Sequence, residues 1–261
     1  MPEFQEKAYL RQREDIAPGI TRLTLHAPEI AGTAHPGQFV MVQVNGGMDP
    51  LLRRPFSIHQ VTAAGNIQLL FKVVGRGTTS LARLQPGDFI DCIGPLGRGF
   101  SLERRGRLCL IGGGMGIAPL YFLAKRLLQN GVTAQRDYVL IGARNKNELA
   151  RFADEFFDLG YMVKTATDDG SMGLHGFVPE LLDLVLPQME RIYTCGPFAM
   201  MRTCADKARE AGVSCQVSLE THMACGLGAC LGCAVAGAGG GYLHVCRQGP
   251  VFDAGEVAWT V

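Results

Sequence analysis

Apolar positions in the first hundred residues fall into short runs broken by turn residues. The runs are Ile20–Leu25, Phe39–Val44, Ile67–Val74 and Phe89–Ile93. Between them lie His35-Pro36-Gly37, Asn45-Gly46-Gly47, Ala64-Gly65-Asn66 and Gln85-Pro86-Gly87. Short strands at this spacing predict a small β barrel. A minor helix is expected from Thr78 or Thr79, whose hydroxyls suit an N-cap ahead of Leu81 and Leu84. Near Arg104-Arg105-Gly106 the period changes. Strand-like runs at Arg107–Ile111, Tyr138–Ile141, Met162–Ala166 and Arg191–Thr194 alternate with helix-like runs at Ala118–Gln129, Glu148–Leu159, Val178–Leu186 and Phe198–Ala211. That alternation predicts stacked βαβ units and a parallel sheet. Asn130-Gly131 and Gly212 are expected to stop the first and last helices. From Val213 onward the chain is rich in glycine and cysteine and has little apolar period. Such a segment would fold badly alone, and a metal centre could supply the missing stabilisation. The expected architecture is therefore a β barrel plus an α/β unit, with parts at 1–103, 104–212 and 213–261.

Composition narrows the function. The chain has 261 residues, 47% of them hydrophobic and 19% charged, with 25 Lys+Arg against 24 Asp+Glu. A formal charge of +1 supplies no basic field for nucleic acid. The opening MPEFQEKAYLRQRED has no apolar run behind its charges, and no stretch reaches the length of a membrane span. A cytosolic location is the expectation. Nine cysteines in such a chain point to metal binding rather than a disulfide framework.

Four of those cysteines are clustered. Cys225-Gly-Leu-Gly-Ala-Cys230-Leu-Gly-Cys233 is C-x₄-C-x₂-C, and Cys246 follows after twelve intervening residues. The first three match the plant-type [2Fe-2S] spacing, completed by a distant fourth cysteine. Gly226, Gly228 and Gly232 would let backbone N–H groups reach the sulfurs. A structural zinc site is the alternative, but zinc sites usually pair a short cysteine couple with a second short Cys/His couple. Cys92, Cys109, Cys195, Cys204 and Cys215 are isolated and read mostly as small hydrophobes.

Two further segments suit anions. Gly112-Gly113-Gly114-Met-Gly116-Ile-Ala-Pro119 follows a predicted strand and opens a predicted helix, where free N–H groups and the helix dipole favour phosphate. Pro119 occupies the place of the third glycine of the dinucleotide fingerprint, so a merely tight turn remains open. In Leu51-Leu52-Arg53-Arg54-Pro55-Phe56-Ser57-Ile58, an arginine could hold a pyrophosphate bidentately. On that segment alone, an edge strand with a solvated arginine pair is the simpler reading. Gly75-Arg-Gly77-Thr78-Thr79-Ser80 is either a phosphate loop or a hydroxyl-rich helix cap.

Taken together, these segments resemble the ferredoxin-reductase superfamily over nearly the whole chain. Arg54-Pro55-Phe56-Ser57 is similar to its flavin motif, which implies that Arg54 holds the FAD pyrophosphate, Phe56 lies by the ring and Ser57 reaches N5. Phe71-Lys72-Val73 and Gly77-Thr78 resemble the other flavin stretches, and Gly94–Phe100 the loop that closes the barrel. Gly112–Pro119 and Cys195-Gly196-Pro197 resemble the NAD motifs. The order barrel, nucleotide unit, C-terminal cysteines is similar to electron-transfer subunits of class B dihydroorotate dehydrogenases. Leu52–Pro55, Glu220, Met223–Cys230 and Gly249-Pro250-Val251-Phe252 carry that likeness. It implies an oxidoreductase subunit of pyrimidine biosynthesis, paired with an FMN-containing catalytic subunit in a heterotetramer of two of each. Electrons would pass from that FMN through [2Fe-2S], held by Cys225, Cys230, Cys233 and Cys246, and then FAD to NAD⁺. One departure is Arg247-Gln248, where the family places an acidic residue before Gly-Pro; losing that carboxylate favours the more negative, reduced cluster. No nucleophile–base constellation is visible, and no residue of this chain is assigned a catalytic role. Rival assignments of the same build are the small subunit of a ferredoxin–NAD(P)⁺ oxidoreductase or sulfide dehydrogenase, or a hydrogenase-linked diaphorase. Arg144, after the second α/β strand, could meet a 2′-phosphate and leaves NADP open. A non-catalytic iron–sulfur redox sensor is the rival of another class.

Overall fold

In the computed structural model, the described residues are 3–43, 51–103, 106–131 and 134–260. Val44, the Asn45-Gly46-Gly47 turn and Arg104-Arg105 at the expected boundary lie outside them.

Six antiparallel strands close the barrel in the order β1-β2-β5-β4-β3-β6. They are β1 (Phe4–Ala17), β2 (Ile20–His26), β3 (Phe39–Gln43), β4 (Arg54–Thr62), β5 (Asn66–Lys72) and β6 (Phe89–Leu96). Helices α1 (Pro28–Thr33) and α2 (Arg76–Leu81) sit between strands. The inward side chains of the strands, including Leu10, Leu23, Leu25, Val40, Ile58, Ile67 and Leu69, are buried in one cluster. The predicted α2 start is corrected by about three residues. Gly75 is the N-cap, and Thr78 lies one turn in, its Oγ1 accepting from the N–H groups of Val74 and Gly75 at 2.9 and 3.1 Å. β1 escaped the sequence reading because eight of its fourteen side chains are charged or amide-bearing and only every second residue in its first half faces the core.

The α/β half is a seven-stranded sheet in the order β10-β9-β8-β7-β11-β12-β15. Strands β7 (Leu108–Gly113), β8 (Tyr138–Ala143) and β9 (Met162–Thr167) alternate with α3 (Ile117–Gln129) and α4 (Lys146–Asp158). After the short β10 (Leu174–His175) come α5 (Val178–Asp183), β11 (Arg191–Cys195), α6 (Phe198–Glu210) and β12 (Ser214–Ser218). All pairs are parallel except that of β15 (Val251–Asp253) with β12. The C-terminal segment thus contributes two strands to the sheet. Between them lies a small hairpin of β13 (Ala234–Ala236) and β14 (Tyr242–His244). Asn130 and Gly131, the latter at φ +80°, end α3 as expected, and Gly212 at φ +68° follows α6. The order 8-7-11 places a topological switch at the carboxyl end of β7, where ligands of open α/β sheets bind.

Ion pairs fasten the two halves to each other. Arg22 on β2, nearly buried, holds Glu14 of β1 at 3.1 Å and Glu155 of α4 at 2.8 Å; Arg151 also reaches Glu14 at 3.2 Å. Burial pushes the Glu14 carboxyl up, but Arg22 and Arg151 outweigh it and hold it below its ordinary 4.5. Arg22→Met leaves Glu14 and Glu155 to the half-exposed Arg151 alone and removes their nearly buried partner, at an expected cost of roughly 3 kcal/mol. Urea unfolding of the FAD-loaded chain measures it. Because Glu14 is depressed in the folded state, its contribution is present above pH 4.5 and is lost as pH falls through the lower folded value. The difference between wild type and Arg22→Met should therefore shrink in acid.

Candidate functional site

At the switch point, the two nucleotide motifs meet. Gly112 and Gly113 end β7, a 3-10 turn spans Gly114–Gly116, and α3 begins at Ile117. Cys195 ends the neighbouring β11, paired with Gly112. The backbones touch: a Cβ on Gly116 would stand 2.1 Å from the carbonyl oxygen of Cys195. Only glycine allows that approach, so the turn is tight because two strand ends are brought together around it. Pro119 lies buried in the first turn of α3, where it removes an N–H that has no helical partner anyway. A cleft of about 690 Å³ opens above. Gly113, Gly114 and Pro197 line it, while Gly112, Gly116, Pro119 and Cys195 lie beneath as buried support. The sequence reading missed the outer wall: Glu148, Asp168, Phe177, Met200, Thr203 and Lys207. Their signal was positional, since each follows the carboxyl end of a sheet strand.

A second cleft, of about 340 Å³, lies beside it. Pro55, Phe56, Ser57, Phe71, Lys72 and Thr78 come from the barrel, and Met115 and Ala118 from the nucleotide turn and α3. Leu219–Thr221, Met223 and Pro250 come from the C-terminal segment. Phe56 packs on Phe71 with ring centroids 5.4 Å apart. Lys72 lines both clefts. Arg54, Val73 and Gly77 are not part of the lining. The structure separates the two arginines. Arg53 pairs with Asp91 at 2.5 Å and with its carbonyl oxygen at 2.8 Å, whereas Arg54 donates to the Leu52 carbonyl at 2.7 Å and has no carboxylate partner among the described residues. Arg53 is committed to the barrel, and Arg54 is the cation available to a ligand. Glu220 opens onto this cleft, yet its surroundings are apolar enough that burial raises its carboxyl.

The elongated cysteine loop packs on the barrel. Gly226 has φ +72°, and a Cβ on it would stand 2.4 Å from Cγ of the buried Met41 on β3. Gly232 has no such constraint: its nearest neighbour would be Cys230 Sγ at 3.6 Å. The four thiols stand as two pairs. Cys233 and Cys246 have their sulfurs 3.2 Å apart and are buried. Cys225 and Cys230 are hydrogen-bonded to each other nearer the surface. Among the described residues, no three His, Cys, Asp or Glu side chains converge as ligands of a single ion. Two pairs fit a two-iron cluster better than a lone zinc, because two bridging sulfides leave each tetrahedral iron two positions for protein thiolates. The backbone is arranged for thiolates too. Burial pulls Cys225 up, but the N–H groups of Leu227, Cys230 and Ala229 prevail and bring it down to about 6. Burial and the neighbouring Cys233 push Cys246 up to about 12, a pairing that a bound cation would relieve. Leu231, between two of these cysteines, is exposed and has φ 58°. Cys92, Cys109, Cys195, Cys204 and Cys215 are all buried, with their thiols raised by burial, and behave as small hydrophobes.

Comparison with known proteins agrees part by part. Residues 7–100 match the oxidoreductase FAD-binding domain and residues 110–206 the oxidoreductase NAD-binding domain. Residues 220–258 match the iron-sulfur cluster binding domain of dihydroorotate dehydrogenase B. The chain is 42% identical over 253 residues to the dihydroorotate dehydrogenase B (NAD(+)) electron transfer subunit of Desulforamulus reducens, covering 94% of each chain. To the subunit of the same name from Bacillus caldolyticus it is 39% identical, over 97% of this chain and 98% of that one. A solved structure of an NADH-dependent reduced ferredoxin-NADP oxidoreductase, described in connection with flavin-based electron bifurcation, superposes with a TM-score of 0.86 at 33% identity, over 97% of this chain and 90% of that one. A Neisseria gonorrhoeae ferredoxin NADP+ reductase shares the fold alone, at 20% identity, TM-score 0.66, and 80% and 92% coverage. The chain carries FAD-binding, NAD-binding and iron–sulfur-binding domains in that order and belongs to the family of dihydroorotate dehydrogenase B (NAD(+)) electron transfer subunits.

Proposed function

We propose that this chain is the oxidoreductase subunit that carries electrons from the FMN of a dihydroorotate-oxidising partner, by way of a [2Fe-2S] centre and FAD, to NAD⁺ in pyrimidine biosynthesis. The observation that carries the reading is the second cleft. Its wall is built from the barrel, the nucleotide turn and the C-terminal segment together. A flavin there would lie between the nucleotide turn and the segment that carries the cysteines, and it is the cofactor able to exchange electron pairs with a nicotinamide and single electrons with an iron–sulfur centre.

The chain's own residues position these groups. Arg54 would neutralise the FAD pyrophosphate, Phe56 and Phe71 would wall the ring, and Ser57 would offer its hydroxyl at the reactive edge. Pro55, Lys72, Val73, Gly77 and Thr78 complete that FAD site. Gly112, Gly113, Gly114, Gly116 and Pro119, with Cys195, Gly196 and Pro197, form the NAD site, bringing the nicotinamide beside Met115 and Ala118, which face the flavin cleft. Cys225, Cys230, Cys233 and Cys246 hold the cluster. The FAD, NAD and cluster parts are assigned to 1–103, 104–212 and 213–261. Dihydroorotate oxidation itself belongs to the partner, so no acid–base group is needed in this chain.

The exposed Leu227 and Leu231 flank the cysteines, and an apolar rim of this kind suits a permanent subunit contact. We assign the complex two copies of each subunit and a cytoplasmic location; among the described residues, no helix is long and apolar enough to cross a membrane. The test is co-expression with an FMN-bearing dihydroorotate dehydrogenase subunit, followed by gel filtration and an orotate assay with NAD⁺. The chain alone is expected to reduce dyes with NADH and form no orotate, the pair to form orotate, and Leu231→Glu to impair coupling more than dye reduction. Efficient orotate formation by this chain alone, or a pair that does not associate, would overturn the subunit reading.

A further inference from the structure

We propose that Glu148 sets the preference of this chain for NADH over NADPH, by holding the Arg144 guanidinium in an ion pair that denies it to a 2′-phosphate. The inference rests on the reading of the 690 Å³ cleft as the dinucleotide site.

NADPH differs from NADH by one phosphate on the adenosine ribose. In a doubly wound sheet, that ribose meets the residues after the strand next to the glycine loop, and an arginine there accommodates the phosphate. The strand next to β7 is β8, and the residue after it is Arg144. By position alone, the chain would accept NADPH.

The surroundings of Arg144 argue otherwise. Its Nε donates to Glu148 Oε1 at 3.1 Å and its Nη2 donates to the same oxygen. Glu148 is held in place from several sides. Its backbone N–H donates to the Asn145 Oδ1 cap at 3.2 Å, fixing the first turn of α4. Lys72, reaching across from the barrel, pairs with the same Oε1 at 2.8 Å. The Glu148 side chain is only 13% exposed while that of Arg144 is 66% exposed. The carboxylate is thus the fixed member of the pair, and the guanidinium is the member that would have to leave. The Arg144 hydrogen bond, followed by Lys72, keeps the Glu148 carboxyl below its ordinary range, so it is ionised at neutral pH. A second carboxylate closes the other side. The N–H groups of Asp168 and Asp169 donate to the carbonyls of Ala143 and Arg144, each at 3.2 Å, which sets the end of β9 against the end of β8; Asp168 also lines the cleft. A phosphate dianion entering here would have to displace Glu148 from Arg144 and lie between two carboxylates. A ribose hydroxyl has neither cost.

The experiment uses the FAD-loaded chain and reads binding as well as rate. ADP-ribose and its 2′-phosphate are titrated as competitors of NADH, and dye reduction is measured with NADH and NADPH. Wild type is expected to favour the unphosphorylated ligands. Glu148→Gln should shift the ratio toward the phosphorylated ones by about tenfold or more, the scale of one charge-assisted hydrogen bond gained. Adding Arg144→Leu to Glu148→Gln should abolish that gain. Asp154→Asn, which removes an exposed carboxylate of α4 outside the cleft and keeps the Arg144–Glu148 pair, should leave the ratio where it was. An unchanged ratio in Glu148→Gln, a gain that survives loss of Arg144, or an equal shift in Asp154→Asn would each overturn the proposal. Failure of ADP-ribose to compete with NADH in wild type would instead remove the reading of the cleft on which the proposal stands.

Discussion

Cys230→Ser is expected to purify with most of its iron and labile sulfide gone, and Cys109→Ser with its iron intact. A serine oxygen is a poor substitute for a thiolate. Losing even a partner that merely orients a ligand weakens metal binding by about 10- to 100-fold, so losing the ligand itself should exceed that. The fold makes a second consequence visible. Between β12 and β15 the segment has only a hairpin of two three-residue strands, and its buried core includes Cys233, Val245 and Cys246. Two of those three are proposed ligands, so the centre contributes to holding the segment as well as to electron transfer. Cys230→Ser, Cys225→Ser, Cys233→Ser and Cys246→Ser should therefore all raise protease sensitivity between β12 and β15. Cys109 lies in the sheet core, and its replacement should lower stability without touching iron. Iron analysis and limited proteolysis on the same preparations separate the two effects. Full iron and sulfide in Cys230→Ser would remove it from the ligand set.

How much of this was legible in the sequence depended on how local each feature is. The 225–246 spacing could be read outright, because a cluster loop is a short-range object with glycines where the backbone must bend. The βαβ half was legible because buried parallel strands are continuous apolar runs: β7, β8 and β11 all fell within two residues of expectation at each end. β1 was illegible, since a long barrel strand with a solvated outer face carries too weak a pattern. β12 and β15 were missed for another reason. They are short, and only their partners in the sheet, one of them 35 residues away, make them strands. The site divides in the same way. Motif residues were found, but Glu148, Asp168 and the α6 wall were not, because the cleft is assembled from the ends of elements far apart in sequence. Which of Arg53 and Arg54 lacks a carboxylate partner among the described residues could not be read locally either; Asp91, on another strand, decides it.

That choice between the arginines gives the other large expected effect. Arg54→Ala should lose FAD during purification, and Arg53→Ala should keep it while unfolding more easily. Arg54 stands at the start of β4, beside Pro55 and Phe56 of the proposed flavin cleft, and among the described residues its guanidinium is satisfied by backbone carbonyls alone. Those contacts are readily exchanged for a pyrophosphate, and a hydrogen bond to a charged group contributes about 1.5–3 kcal/mol, or roughly 10- to 150-fold in affinity. Arg53 has no such freedom. Its pairing with Asp91, which also receives Gln5 Nε2 at 2.9 Å, ties the start of β4 to β6 and β1 of the barrel wall. Removing it leaves a partly buried carboxylate without its cation and lowers stability rather than flavin affinity. Ser57→Ala supplies the third arm. Ser57 lines the cleft two residues further along β4 and carries no charge, so this variant should retain FAD yet slow hydride exchange with NADH. Flavin stoichiometry from the visible spectrum, thermal melts and anaerobic stopped-flow reduction by NADH distinguish the three. Stoichiometric FAD in Arg54→Ala, or flavin loss in Arg53→Ala at unchanged stability, would reverse the assignment of the two arginines.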